Sequence, residues 1–312
     1  MAHGTHDFHD DRRNEQIQVW INGELVPRER ALVSVFDSGF VLGDGVWEGL
    51  RVRSGHPAFL ERHLDRLVEG ARALMLDIGR SRDELTEAIY STLQANGMTD
   101  GVHMRLMVTR GVKRTPYQDP RLTVGPATVV IIAEHKEPLP ATVTDGITLF
   151  TTHVRRAAPD TLDPKLNSHS KLNDVMACIQ AYTAGADEAL MLDPHGFVAT
   201  CNSTHFFIVT GPEDRPEVLT SDGRYCLAGI TRANVLEICR DSGIPARETT
   251  FSLTDVYSAR EAFVTGTFAG VVPVRSVDGR TIGESRRGPV VERLQQLYGQ
   301  LVDADVAARP AP

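Results

Sequence analysis

The sequence predicts an α+β protein of two domains, on three observations. Apolar residues recur at helical spacing in some segments and alternate with polar residues in others, so helices and half-buried strands both occur. A polar, proline-containing stretch at residues 135–142 separates two such mixed regions. The 312 residues, 41% apolar and 24% charged, suffice for one large or two medium cores.

The composition also excludes several classes of function. With a net charge of −8 and no long run of Lys or Arg, the chain is not expected to bind nucleic acid. No apolar run reaches the roughly 20 residues that cross a bilayer, and residues 1–15 hold no signal-peptide core. A cytoplasmic protein without a membrane partner is expected. Cys178, Cys201, Cys226 and Cys239 lack the spacing of a zinc site or a disulfide framework and read as reduced thiols. His3, His6 and His9 sit among Asp, Gly and Arg, which reads as a flexible tail over residues 1–16 rather than a metal site.

The smaller domain spans residues 17–134. Residues 17–21 with the turn Asn22-Gly23, and residues 46–53 with Ser54-Gly55 and 58–60, read as hairpins. Leu60, Leu64, Leu67, Ala71 and Leu74 then recur at helical spacing. A second helix starts at Ser81, whose distance to Glu84 fits a capping box, and carries Leu85, Ile89 and Leu93 toward Gly97. Val102, Met104, Leu106 and Val108 alternate with polar residues as a half-buried strand, and residues 129–133 form a buried one.

Residues 135–146 connect to a larger domain, 147–304. It opens with a strand at 147–152 and a helix at about 172–184, with Leu172, Val175, Met176 and Ile179 on one face and Gly185 as the stop. A hairpin over 188–200, a strand at 206–209, and a helix from Thr231 to Gly243 follow. Late strands at 263–267 and 271–274 precede a helix lined by Val290, Leu294, Leu297 and Leu301, with residues 305–312 as a disordered tail.

Two local patterns point to an anion. Gly229-Ile230-Thr231 places a glycine and a hydroxyl where a helix begins, and free N–H groups with the helix dipole attract phosphate there. The same residues also fit an ordinary N-cap. Thr265-Gly266-Thr267 ends a buried strand, where ligands often sit, and fits a plain turn equally.

Residues 36–50, which include Asp37, Gly43, Gly45, Trp47 and Glu48, resemble the N-terminal signature of the class IV, fold-type IV pyridoxal 5′-phosphate (PLP) enzymes, the branched-chain and D-amino-acid aminotransferase group. Residues 59–67 are similar to the next family block, in which the arginine at the place of Arg66 binds the cofactor phosphate. A bidentate guanidinium suits that task. In the same family the block resembling Gly229, Ile230 and Thr231 is a phosphate cup, and the threonine matching Thr267 is a further phosphate ligand. Residues 185–193 and 196–198 match as well, and the resemblance extends from residue 17 to 283. It implies a small N-terminal α+β domain and a larger C-terminal domain with a barrel-like sheet and helices. It also implies PLP as cofactor, an amino acid or amine donor, a 2-oxo acid acceptor, and a homodimer.

The resemblance breaks in the chemical layer. The flanking Asp163-Pro164 and the helix running to Gly185 set a gapless register that puts Asn167 at the family's Schiff-base lysine. An amide forms no imine and shuttles no proton. Lys165, two residues back on the expected strand face, and Lys171, at the start of the next helix, are the nearby amines. Thr200 stands at the glutamate that keeps the pyridine nitrogen protonated, and His205 at a usual asparagine. For the substrate, Arg110 resembles the arginine that D-amino-acid aminotransferases use for the carboxylate, and Trp47 a pocket aromatic. An aminotransferase by descent, a non-catalytic PLP or phosphate binder, and a lysine-substituted form of an active enzyme all fit these residues.

Overall fold

A computed structural model describes residues 4–309. The chain forms two compact units. The N-terminal unit comprises His9–Glu137, Leu166–Lys171 and the chain from Val302, while the C-terminal unit comprises the residues up to Phe8, Pro138–Lys165 and Leu172–Leu301. One boundary between them lies after Glu137. The return of residues 166–171 and of the end of the last helix, from Val302, to the N-terminal unit does not follow from any linear pattern, because tertiary pairing sets it.

In the N-terminal unit, β1 (Gln18–Ile21), β2 (Glu24–Pro27), β3 (Gly45–Arg53), β4 (His56–Pro57), β5 (Val102–Thr109) and β6 (Thr128–His135) form one sheet in the order β2-β1-β6-β5-β3-β4. Asn22 and Gly23, at φ 53° and 114°, supply the left-handed turn between β1 and β2. The strand expected at 58–60 lies at His56–Pro57 instead, because Phe59 adopts φ 55° and turns the chain directly into a helix. The short α1 (Ser38–Leu42), capped by Asp37, precedes β3. α2 (Leu60–Ala73) and α3 (Arg82–Ala95) cover one face, and Ser81 with Glu84 completes both halves of the capping box. Leu60, Leu64, Leu85 and Ile89 pack there with Leu50, Met104 and Ile131.

The C-terminal unit begins with α4 (Pro140–Asp145), β7 (Ile147–Thr151), α5 (Pro159–Leu162) and α6 (Leu172–Thr183). β8 (Glu188–Leu192), β9 (Val198–Cys201), β10 (His205–Thr210), β11 (Glu217–Thr220) and α7 (Ile230–Asp241) follow. The rest is β12 (Ala246–Glu248), α8 (Leu253–Tyr257), β13 (Glu261–Gly266), β14 (Gly270–Val277), β15 (Arg280–Thr281) and α9 (Pro289–Ala307). The sheet runs β12-β11-β10-β13-β14-β7-β8-β9, with β15 on β14. It curls into a half-barrel, so that β9 comes back beside β10. On one side Phe207 and Phe263 pack with Val235 and Cys239 of α7 and Leu294 of α9, and on the other Ile147, Leu190, Phe206 and Val264 form a second core.

Three expectations are corrected. In α6 the residues expected to face inward are outside: Leu172 is 74% exposed and Ile179 40%, while Ala177 and Ala181 are fully buried. The alanines let the helix approach its sheet closely, so the small-residue stripe is the inner one. The N-terminal segment is not a loose tail. Asp11 caps a turn at Arg12–Gln16, His6 stacks on Phe268 at 5.7 Å, and the Thr5 N–H donates to Glu188 Oε1 at 3.2 Å; His3 lies outside the described residues. At the other end α9 runs to Ala307, and its Asp305 accepts from the Phe59 N–H at 2.7 Å; residues 310–312 are outside the described range. Among the described residues the four cysteines are free, no cluster of His, Cys, Asp or Glu is placed to hold a metal ion, and no helix is long and apolar enough to cross a membrane.

Glu188 is buried in this unit and accepts from the Thr5 N–H and hydroxyl and from Thr204 Oγ1 at 2.8 Å. Burial pushes its carboxyl up from 4.5 to about 7, against those hydrogen bonds. The folded value lies above the unfolded one, so this contribution is full below 4.5 and is lost as pH rises through about 7. Unfolding free energies from urea titration are expected to fall between pH 5 and 8 by up to about 3 kcal/mol in wild type relative to Glu188→Gln. The same slope in both proteins would remove Glu188 as its source.

Candidate active site

Residues 166–171 lie along the start of β3. Val46 and Ser168 form an antiparallel bridge, the Trp47 N–H donates to Asn167 O at 3.0 Å, and the His169 N–H donates to Gly45 O at 3.0 Å. The Asn167 side chain closes the same contact, with Nδ2 donating to Trp47 O at 2.6 Å. Asn167 is only 6% exposed. The His169 Nε2 meets Val46 O at 3.1 Å, and burial lowers the pKa of this imidazole, which keeps it neutral with its proton on that nitrogen. Trp47 is held by its indole N–H, which donates to Ser168 O at 3.1 Å. The Arg105 guanidinium lies 4.1 Å and the Lys171 Nζ 5.7 Å from the centre of the Trp47 ring. Lys165 is exposed in a turn with Pro164, so it does not continue a strand face shared with Asn167, as alternation predicts.

Arg66 on α2 is anchored by a group that sequence inspection did not single out. Its Nε and Nη2 donate to Glu48 Oε1 at 2.8 Å and Oε2 at 2.6 Å, and His63 Nδ1 reaches the same Oε2 at 2.6 Å. Glu48 and His63 are each 1% exposed. Burial opposes the Glu48 charge, but His63 and Arg66 outweigh it and hold the carboxyl below the ordinary range. Burial pushes the His63 imidazole down despite Glu48, so His63 is a neutral N–H donor. The three-residue spacing of His63 and Arg66 on one helix face, opposite an inward glutamate, was the available signal.

Arg110 is engaged by its own chain. Its Nε and Nη2 grip Asp44 at 2.7 and 3.1 Å, while Nη1 and Nη2 donate to Met75 O at 3.0 Å and Leu74 O at 2.8 Å. These contacts make it a cross-link within its own unit.

In the C-terminal unit α7 begins at Ile230, behind Gly229, which caps the helix without a side-chain hydrogen bond. The first-turn N–H groups of Ile230 and Thr231 are therefore not taken by a cap side chain. Both residues are buried, and Thr231 Oγ1 lies 3.5 Å from Tyr298 Oη. A Cβ on Gly229 would sit 2.2 Å from His205 Nε2, so the imidazole occupies the space of the missing side chain. Gly229→Ala is thus expected to push His205 aside and cost about 1–3 kcal/mol, read by thermal melts; unchanged melting would refute the close packing. Thr267 is half-buried in the turn after β13. Thr200, 4% exposed on β9, donates its hydroxyl to Thr204 O at 2.8 Å.

Set against a PLP-type ligand, these residues divide. The uncapped start of α7 fits a phosphate group. Residue 167 does not fit covalent attachment: it is an amide already bonded to Trp47, and the lysines flanking it in sequence are an exposed turn residue and one at the Trp47 ring.

Two α+β units, one built on a curled sheet with an anion-ready helix start, make up a fold-type IV protein. The chain belongs to the class IV aminotransferase family, matching Amino-transferase class IV over residues 45–277, and within it to the branched-chain group. It is 43% identical over 290 residues to branched-chain-amino-acid aminotransferase-like protein 2 of Arabidopsis thaliana, covering 93% of this chain and 51% of that one. The chain thus spans about half the length of that relative. It is 39% identical over 283 residues to a putative branched-chain-amino-acid aminotransferase of Methanocaldococcus jannaschii, covering 90% of this chain and 95% of that one. Among solved structures, the T.th. branched-chain amino acid aminotransferase with pyridoxamine 5′-phosphate superposes with a TM-score of 0.83 at 30% identity, covering 92% of this chain and 95% of that one.

Proposed function

We propose that this chain is a PLP-binding protein of the branched-chain aminotransferase group, whose further ligands are an amino acid and a 2-oxo acid, and that it holds the cofactor without a covalent bond. The observation that carries this reading is Asn167, tied to Trp47 O at 2.6 Å at the position where the resemblance puts the lysine. The N–H groups of Ile230 and Thr231 and the hydroxyls of Thr231 and Thr267 hold the phosphate at the start of α7. The resemblance makes Arg66 a further phosphate ligand, and Glu48 orients its guanidinium. When bound, the cofactor supplies an electron-accepting pyridine ring. Thr200 is a neutral hydroxyl and offers that ring no charge, and its proton is already donated to Thr204 O. The amide of Asn167 neither takes up nor releases a proton near neutral pH, so residue 167 relays none. Trp47 lines the amino-acid side. A homodimer is supported by the apolar face of α6, where Leu172, Val175, Met176 and Tyr182 are exposed.

Equilibrium dialysis with PLP tests the reading. Saturable binding that inorganic phosphate competes away and that is wholly lost on denaturation is expected. Absence of binding, or cofactor that stays on the denatured chain, would overturn it.

A further inference from the structure

Residues 4–8 belong to no helix or strand, yet Thr5 among them is only 2% exposed. Thr5 donates twice to Glu188 Oε1, from its backbone N–H at 3.2 Å and from its hydroxyl. With that proton given to Glu188, Thr5 Oγ1 accepts from His6 Nδ1 at 3.1 Å. The Asp7 N–H closes a turn on Gly4 O at 3.1 Å, and the His6 ring stacks on Phe268. Thr5 and His6 thereby close one side of a crevice whose other walls include Thr204, Val264, Phe268 and Val272. The second oxygen of the same carboxyl holds a different piece of chain. Glu188 Oε2 accepts from Thr204 Oγ1 at 2.8 Å, and Thr204 O accepts from Thr200 Oγ1 at 2.8 Å and from the Cys201 N–H at 2.9 Å. One buried carboxyl therefore joins residues 4–8 to the turn that fixes the Thr200 side chain.

We infer that residues 4–8 are a pH-released strap, held on Glu188 while its carboxyl is protonated and loosened when the carboxyl ionises. A buried carboxylate gains much hydration when the chain covering it lifts away, whereas the neutral acid gains little and still offers the Thr5 N–H an acceptor. Thr5 is that cover on the Oε1 side. The covered carboxyl titrates at about 7 and one returned to water at its ordinary 4.5, so closure is fully supported below 4.5 and weakens as pH rises toward about 7. The groups around Glu188 act on this in known directions. Asp187 raises its titration further, Ser203 and Thr204 are neutral donors, and Cys178 and Cys201 are thiols that burial pushes up and so keeps neutral. His6 and Asp7 are the ionisable groups of the strap itself. Loss of a proton from His6 would loosen the strap with the same sign, so the test separates the two.

Hydrogen–deuterium exchange of the full chain, corrected for intrinsic exchange at each pH, reads the strap at the Thr5 and Asp7 amides, both hydrogen-bonded when it is closed. In wild type their protection is expected to fall about 10²-fold from pH 5 to pH 8, and in Glu188→Gln to stay flat. Protection independent of pH in wild type, or a fall that persists in Glu188→Gln, would overturn the inference. Exchange of these amides only in step with those of β10 would do so too, because global unfolding and not strap release would then be titrating Glu188. His6→Gln is expected to keep the fall, and its disappearance there would move the titration to His6 and overturn the assignment to Glu188. If Glu188→Gln does not fold, Thr5→Val decides: without the hydroxyl donor, protection of the Asp7 amide at pH 5 is expected to drop about tenfold, and no drop would overturn the strap.

Discussion

Asn167→Lys is expected to create a cofactor–lysine bond that borohydride reduces to a stable amine, and to raise the amino-acid-dependent half-reaction by about 10²–10⁴-fold, the usual yield of a positioned acid–base group. The amine would start from a backbone already pinned by the Trp47 N–H at 3.0 Å. The substitution removes the side-chain bond to Trp47 O and buries a cation near Arg105 and Lys171, so a stability loss of about 1–3 kcal/mol should accompany the gain. Peptide mapping after reduction places the adduct, while Lys165→Ala and Lys171→Ala are expected to leave cofactor affinity largely intact. A substituted protein with no reducible adduct at position 167 would contradict the register.

Arg66→Ala is expected to act twice. Glu48, 1% exposed, would keep only His63 as a partner, and an uncompensated buried carboxylate costs about 3–5 kcal/mol. Loss of a charge-assisted contact should also weaken PLP affinity by about 10- to 100-fold. The double substitution Arg66→Ala with Glu48→Leu separates the effects, because it removes the stranded charge and should recover stability without affinity. Unchanged PLP affinity in Arg66→Ala would end the assignment of Arg66 to the phosphate.

Much of the architecture was legible in the residues. The Ser81–Glu84 capping box, the Asn22-Gly23 turn and the alternation in β5 depend on neighbours in sequence, and short-range physics determines them. What depended on distant partners was not legible. The inward face of α6 escapes a reading by hydrophobicity, which marks the apolar stripe, whereas the sheet it packs on accepts only alanines. Arg110 looks available until Asp44 and the carbonyls of Leu74 and Met75 are brought to it. The Glu48–His63–Arg66 group joins β3 to α2, and the 1% exposure of His63 follows from that packing, not from its neighbours in sequence. For residue 167, chain order gave the residue type, but only the bond to Trp47 showed which end of the amide is occupied.

The most direct measurement of the central claim, that this chain holds its cofactor without a covalent link, is the intact mass of wild-type protein after incubation with PLP and reduction by borohydride. The mass of the unmodified chain is expected, with all pyridoxyl recovered in the small-molecule fraction. A stoichiometric pyridoxyl increment on Lys165 or Lys171 would contradict it, because the chain would then have moved its catalytic amine rather than lost it.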